Sequence, residues 1–425
     1  MIHFYHLLSL FVAIILAPLF SIIALFSKHK WKGLAHHFGW VPKSPCKKIL
    51  WLHALSMGEV VSITPVLESI RKQNPELYIA LSVTTDSGYA AAINIKIADN
   101  VFFHPLDCLP FTQLALSRIK PDLYIVIDTG FWPGLIDLLH KKNTLVFLFN
   151  GRISESSARR YFIAGSLFKD TFRKFHRLGM QSSNGEKALK ILGVDPKRIE
   201  VMGDPKFDAH QPRTVEEKEG FRKTFKLEKK ILVWIAGSTH PGEEEIVLDA
   251  HQQLRIKHPG LVFILAPRRI ERIEEVVKLL KKKKISFALR SSLGLEHEKN
   301  VILLDTMGEL AQVYSLGQVA FVGKSLIKPG GGHSLIEPLR QGLPVIHGPF
   351  IENIRHVADK AQELGLALIA KNSEDIKEKV QTLLENERLR QELQKKAHSF
   401  ITQQQGASKQ MAQIIIESLK PDLSA

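Results

Sequence analysis

What most limits the folds open to this chain is a twice-repeated alternation of short Val/Ile/Leu-rich runs with amphipathic stretches. Runs of four to six apolar residues bounded by turn signals, each followed by a helical pattern, describe parallel strands covered by helices on both faces. The first series predicts strands at Ile49–Leu52, Tyr78–Val83, Val101–His104, Leu123–Ile127, Leu145–Phe149 and Leu178–Gln181, with helices such as Glu59–Lys72 and Phe111–Arg118 among them. Near Pro205–Thr214 the pattern lapses into a polar, proline-punctuated stretch, which reads as a domain boundary. A second series follows, at Ile231–Ile235, Val262–Leu265, Val301–Leu304, Val319–Val322, Pro344–Ile346 and Leu366–Ile369, and a charged helical region closes the chain from Glu374 to Leu419. The expected architecture is α/β: two Rossmann-like domains whose strand carboxyl ends face a shared cleft, where open sheets of this kind bind ligands.

Ahead of the first series, Leu7–Phe26 carries no charged residue and is long enough, as a helix, to cross a hydrocarbon core of about 30 Å. Lys28, Lys30 and Lys32 follow it, so the positive-inside rule puts the rest of the chain in the cytoplasm. A cleaved signal peptide fits less well, because the basic leading region and a small-residue cleavage site are missing. Pro18 leaves room for a kinked or shallowly inserted segment. The expected divisions are therefore a membrane anchor at 1–27, a first Rossmann-like domain at 28–208 and a second at 209–425 that includes the terminal helices.

The 425-residue chain has a formal net charge of +15, which favours anionic partners: lipid headgroups, a phosphorylated lipid, a nucleotide or nucleic acid. Basic residues interleaved with aromatics, as single-strand binders use them, do not occur, so nucleic acid has no motif behind it. Cys46 and Cys108 have no metal-ligand or redox spacing and read as packing residues of a reducing compartment.

Chemistry-bearing segments follow the expected strands. His53-Ala54-Leu55-Ser56-Met57-Gly58-Glu59 places a carboxylate at a helix start, either as a general base or as a first-turn acid that satisfies free N–H groups and the helix dipole. Gly237-Ser238-Thr239-His240-Pro241-Gly242, followed by Glu243, Glu244 and Glu245, offers hydroxyls and backbone N–H groups to a phosphate, or else a plain N-cap with a solvated acidic turn. Gly330-Gly331-Gly332-His333-Ser334 enters a helix bearing Glu337; it permits close backbone approach to a ligand and a carboxylate for ribose hydroxyls, or forms a hinge. A Walker A loop, HExxH, GxSxG and GxGxxG are all absent. So is any Asp-x-Asp pair, which disfavours a metal-bridged diphosphate donor.

Taken in order, these segments resemble the 3-deoxy-D-manno-octulosonic acid (Kdo) transferases. The resemblance also takes in Thr84-Thr85 with Gly88, Asn150 to Arg159, Lys206-Phe207-Asp208, Pro267-Arg268 and Asp305 to Leu310. It implies a GT-B glycosyltransferase that moves Kdo from CMP-Kdo onto the lipid A precursor of lipopolysaccharide, with inversion, without a metal or other cofactor, at the bacterial inner membrane with its anionic lipids. Glu59 then matches the general base. Ser56, Gly58, Thr84, Thr85, Asp128, Arg152, Arg159 and Lys206 match the acceptor side, although each arginine alone could equally hold an ion pair. On the donor side the matching positions are Ser238, Thr239, Pro267, Arg268, Met307, Gly308, Glu309, Gly331, Gly332, His333, Ser334 and Glu337, with Met307 expected to pack rather than to touch the ligand.

Three departures stand out. Asp128-Thr129-Gly130-Phe131-Trp132-Pro133-Gly134 stands where the family usually shows Glu-Thr-Glu-Leu-Trp-Pro-Asn, and Ser334 and Asp204 each replace an Asn. They bear on the acceptor more than on the donor. A different activated sugar, or a non-catalytic paralogue that binds lipid or nucleotide, are the alternative functions.

Overall fold

The computed structural model describes residues 1–25, 28–45, 48–153, 155–163, 165–209, 214–293 and 300–420, with no side-chain description at 16, 17, 19–25, 28–32, 155, 156, 162, 163 and 215. The chain forms two compact units, residues 1–209 with 404–425 and residues 210–403.

The first unit holds a seven-stranded sheet: β1 (Ile49–Ala54), β2 (Tyr78–Val83), β3 (Asn100–Phe103), β4 (Leu123–Ile127), β5 (Leu145–Gly151), β6 (Arg177–Met180) and β7 (Ile199–Val201). Its order is β3-β2-β1-β4-β5-β6-β7 and every pairing is parallel. All of β1 and β4 is buried, as strands covered on both faces must be. One apolar layer, with Trp51, Tyr124 and Leu139, lies on one side, and another, with Val60, Ile63 and Leu67, lies on the other.

The second unit contains β8 (Val233–Thr239), β9 (Val262–Pro267), β10 (Phe287–Leu289), β11 (Val301–Leu303), β12 (Val319–Val322), β13 (Val345–His347) and β14 (Ala367–Ile369). These form a second parallel sheet in the order β10-β11-β9-β8-β12-β13-β14. The apolar-run pattern does not pick out the edge strands β7, which Glu200 interrupts, and β10, which is only partly buried.

In each sheet the first strand lies beside one that comes three or four strands later, β1 beside β4 and β8 beside β12, so the chain leaves these neighbours in opposite directions. At such a switch point the two following loops diverge and leave a crevice at the strand carboxyl ends. Glu59 and Asp128 follow the first pair, and His240 and Lys324 follow the second.

One expectation is corrected and another finds no support. The last helix, Ala407–Ser418, belongs to the first unit rather than to the second domain. Its Met411, Ala412 and Ile415 are buried in the same layer as Val60 and Ile63, and Asp208 accepts the Gly406 and Ser408 N–H groups, both at 2.7 Å. That apolar stripe needs a partner, and the helix Met57–Gln73 supplies it.

The expected membrane anchor is not supported. A helix runs from Ile2 to Leu25, but among the described residues no helix is long and apolar enough to cross a membrane. Much of the expected span, residues 16, 17 and 19–27, lies outside the described side chains or residues. Its leading end is held to the protein body: Tyr5 donates to Asp107 at 2.7 Å, and His6 is buried 3.7 Å from Asp137. Phe4, Leu7, Phe11 and Ile14 on the same helix are exposed. Cys108 is buried as expected, and Cys46 lies outside the described residues.

Candidate functional site

Ser56 precedes the helix Met57–Gln73 as its N-cap, with extended backbone and no side-chain capping bond. Glu59 lies in the first turn and reaches back so that the Leu55 N–H donates to its Oε2. It is only 9% exposed. Burial foremost, and then the Asp128 carboxylate, push its pKa up from 4.5 to about 7, against the pull of the Leu55 N–H and the Arg152 and Lys206 charges. A carboxylate tuned to neutrality is half-ionised where cells work, which suits a general base.

The neighbours of Glu59 come from the far ends of the unit's sequence. Asp128, just after β4, is buried with a left-handed φ of 72° and takes a two-point contact from Arg152 Nε and Nη2. Arg152 follows β5 and is more than a third exposed on its other side. Asp204 is buried and accepts the Lys206 N–H at 2.9 Å; burial pushes its pKa up, opposed chiefly by the Lys206 charge. In the sequence Asp204 stands out only as a departure from the family pattern, yet it belongs to this cluster. The Asp-Pro-Lys turn signal marks it, but nothing local reveals which distant acids it meets.

The remaining expected acceptor residues divide. Thr85 caps the helix Asp86–Ile95 by accepting the Gly88 N–H at 3.1 Å, and the Thr84 N–H donates to the Leu55 carbonyl, which braces the loop that carries Glu59. Gly58 is exposed at the helix start, and Arg159 is exposed on the helix Glu155–Ile163. Gly130 leaves space beside His53, a buried ring at the end of β1 that bonds Ser82: a Cβ at 130 would stand 3.5 Å from His53 Nε2.

In the second unit, a register shift between Gly237 and Thr239 bulges β8 at Ser238, whose φ is 56°. A bulge of this kind re-aims a side chain at a sheet end. Ser238 is half-buried, whereas Thr239 is fully buried. Of the three acids in the turn that follows, Glu245 is exposed but Glu243 and Glu244 are not. Glu243 is 1% exposed and accepts N–H groups from His240 (2.9 Å), Lys324 (2.7 Å), Ser325 (2.8 Å) and Leu326 (2.9 Å), which fastens the loop after β8 to the loop after β12. Glu244 is buried against Arg272 at 2.7 Å.

The triple-glycine turn also differs from expectation. The N–H groups of Gly331, Gly332 and His333 donate to the carbonyls of Phe350, Lys324 and Gly323, so these amides are engaged within the protein instead of facing a ligand. Gly331, with a φ of 116°, is required because a Cβ there would stand 2.3 Å from Asn353 Nδ2. The turn's product is the placement of His333, whose Nε2 lies 2.9 Å from Nε2 of His240. Ser334 follows, half-buried, and Glu337 lies in the first turn of the helix Ile336–Arg340.

Pro267 ends β9, and the Arg268 N–H donates to the Thr239 carbonyl, which leaves the exposed Arg268 side chain beside this crevice. Glu309 is held by Arg290 and Thr306, and Gly308 forms a left-handed turn at φ 83°. Met307, expected to pack, is instead 74% exposed, because the turn at Gly308 lifts it off the sheet end. Among the described residues no group of three or more His, Cys, Asp or Glu side chains is arranged to hold a metal ion.

Comparison with known proteins agrees with this layout. The family model described as 3-deoxy-D-manno-octulosonic-acid transferase matches residues 32–209, and the model for group 1 glycosyl transferases matches residues 216–400. The UDP-GlcNAc 2-epimerase of Neisseria meningitidis, at 14% identity over 88% of this chain and 99% of its own, has the same two-sheet fold with a TM-score of 0.56. Two parallel doubly wound sheets, each with its polar cluster at the switch point, and a glycosyl transferase match over the second define a glycosyltransferase of the GT-B class. Across 92% of this chain and 91% of the relative, the sequence is 32% identical to 3-deoxy-D-manno-octulosonic acid transferase of Haemophilus influenzae; the Chlamydia trachomatis protein of that name is 27% identical over 86% and 85%. The chain belongs to the 3-deoxy-D-manno-octulosonic acid transferase family.

Proposed function

We propose that the enzyme transfers Kdo from CMP-Kdo to a hydroxyl of the lipid A precursor by a single inverting displacement, with Glu59 as the base. The observation that carries this reading is the buried Glu59 carboxylate, poised near pH 7 and unpaired with a neighbouring cation while Asp128 beside it takes up Arg152. The acceptor O–H gives its proton to Glu59, the oxygen forms a bond to the anomeric carbon, and the bond from that carbon to the phosphate oxygen breaks with its electron pair leaving on CMP. Lys206 and the outer side of Arg152 supply positive charge for the acceptor's phosphates or the donor's carboxylate.

CMP is assigned to the second unit, where Ser238, Arg268, His333 and the exposed Met307 to Gly308 turn surround the end of β8 and its neighbours, with Glu337 toward the nucleotide sugar. The leaving phosphate is met by the Arg268 side-chain cation and the Ser238 hydroxyl, so the step is written without a metal. A basic chain with the exposed apolar residues Phe4, Leu7, Phe11 and Ile14 on its first helix suits an amphiphilic acceptor and anionic lipids at a bilayer surface. Incubation of the full chain with CMP-Kdo and the acceptor lipid, followed by mass analysis, should show added Kdo units; no gain at any pH refutes the assignment. The same measurement with UDP-linked sugars tests the alternative donor.

A further inference from the structure

The contact of His240 with His333 has a chemical consequence that the transfer reaction alone does not require. Two ring nitrogens 2.9 Å apart, with rings stacked at 5.2 Å between centroids, can only be one N–H donor and one bare acceptor. The accepting ring therefore keeps its own proton on Nδ1, and the donating ring has a bare Nδ1. The pair joins the loop after β8 to the turn after β12, on the two strands that flank the switch point.

Its surroundings are cationic. Arg269 from the loop after β9, Arg272 from the short helix that follows and Lys324 from the loop after β12 act on His240, and Arg268 and Lys324 act on His333. The one carboxylate facing His240 is Glu243, and it is already engaged by backbone N–H groups. Burial first, together with these cations and against the pull of Glu243 on His240, lowers the basicity of both rings, with His333 pushed down to about 3. An anion seated among Arg268, Lys324 and the pair offsets that local field, and the bare Nδ1 is then the group able to respond.

Resting on the reading of this crevice as the nucleotide site, we propose that His240 and His333 act as one proton-linked anion receptor: binding of the donor's phosphodiester draws a proton from solvent onto the pair, and release of the nucleotide returns it. No bond other than N–H is made, and the proton comes from and goes back to water. The pair thereby adds a positive charge where the leaving phosphate gains negative charge, and loses it once the product has gone.

The test is calorimetry on the full chain with the methyl ester of cytidine 5′-monophosphate, a phosphodiester that has no proton of its own to exchange near neutrality. Titration at about pH 6.5 in two buffers of different ionisation enthalpy should reveal uptake of about half a proton, and affinity should fall roughly fourfold between pH 6 and pH 8. His333→Gln and His240→Gln, each checked for an unchanged melting transition, should bind several-fold more weakly with no uptake and a flat pH dependence. Heats that do not depend on buffer in the unmodified chain, or uptake that persists in both variants, overturn the proposal while leaving the nucleotide site standing. No binding of the ester, CMP or CMP-Kdo to the unmodified chain overturns the site assignment and this inference together.

Discussion

Glu59 and Glu243 hold the same place in their respective units, in the first helical turn after the strand at the switch point, and the two carboxylates are met by their surroundings in opposite ways. Both are buried, at 9% and 1% exposure. Glu243 accepts four backbone N–H groups from two loops, so its charge is fully answered and serves to hold the loops together. Glu59 has one such donor, a neighbouring acid and more distant cations, so its charge stays costly and its proton is held to about pH 7. Whether a buried carboxylate is scaffold or reagent depends on how many donors meet it, more than on how deeply it is buried.

The comparison breaks most severely at Glu243. Glu243→Ala leaves four N–H groups without their acceptor, and at about 1–3 kcal/mol for each unsatisfied buried group the loss is at least roughly 4 kcal/mol. Denaturant unfolding should show that loss in the transition of the second unit, together with loss of CMP binding. Little change in stability would mean that Glu243 is not the clasp described.

Glu59→Gln should instead spare the fold and CMP binding and reduce turnover by about 10²–10⁴-fold, the range expected on removal of a general base. Its effect on stability separates the base from a helix-start acid. Because the folded pKa is raised from 4.5 to about 7, the folded chain holds more protons than the unfolded chain in that interval, so stability falls as pH rises through it. Above pH 7 the ionised group costs the fold on the order of 3 kcal/mol, a cost that Gln avoids. Melting at pH 8 should therefore be higher in the variant and nearly equal at pH 4. A first-turn acid that merely answers the helix dipole would give a lower melting temperature at pH 8.

Much of this contrast was not legible in the sequence. The strands β2, β4 and β12 fall on the expected runs, because buried parallel strands leave an uninterrupted apolar signature. The terminal helix carries no mark of which unit it serves, since its stripe of Met411, Ala412 and Ile415 fits any apolar surface. Glu59 and Glu243 look alike in the sequence because their difference lies in partners 69 to 83 residues away: Asp128 is 69 positions from Glu59, and Leu326 is 83 from Glu243. Glycine at 331 signalled a tight turn correctly but not its purpose, which is close packing against Asn353 rather than exposure of N–H groups.

The pH dependence sharpens the account of Glu59 further. The rate at saturating substrates should rise about tenfold per pH unit below the midpoint and level off above it, with the midpoint near 7 if substrate leaves the base's surroundings unchanged. Asp128→Asn removes the neighbouring charge that is the second cause of the raised pKa, and it releases Arg152 to act on Glu59. The midpoint should then move to lower pH. A shift to higher pH would mean that Arg152 owes its position beside Glu59 to Asp128 and leaves with it.

Met307 gives the smallest expected effect and tests the other side of the comparison, since nothing in the fold demands an exposed thioether. Being 74% exposed, Met307→Ala should change stability by no more than about 0.5 kcal/mol. The segment around it is fixed independently, by Arg290 and Thr306 on Glu309 and by Ser291 on Asp305, so the turn survives the substitution. A flexible, polarisable side chain held out on a fixed turn is suited to lie against the face of a ring. The variant should therefore melt like the parent but bind CMP a few-fold more weakly, with ribose 5-phosphate affected less than CMP. Equal losses for both ligands would remove the cytosine contact and leave the turn as a structural element alone.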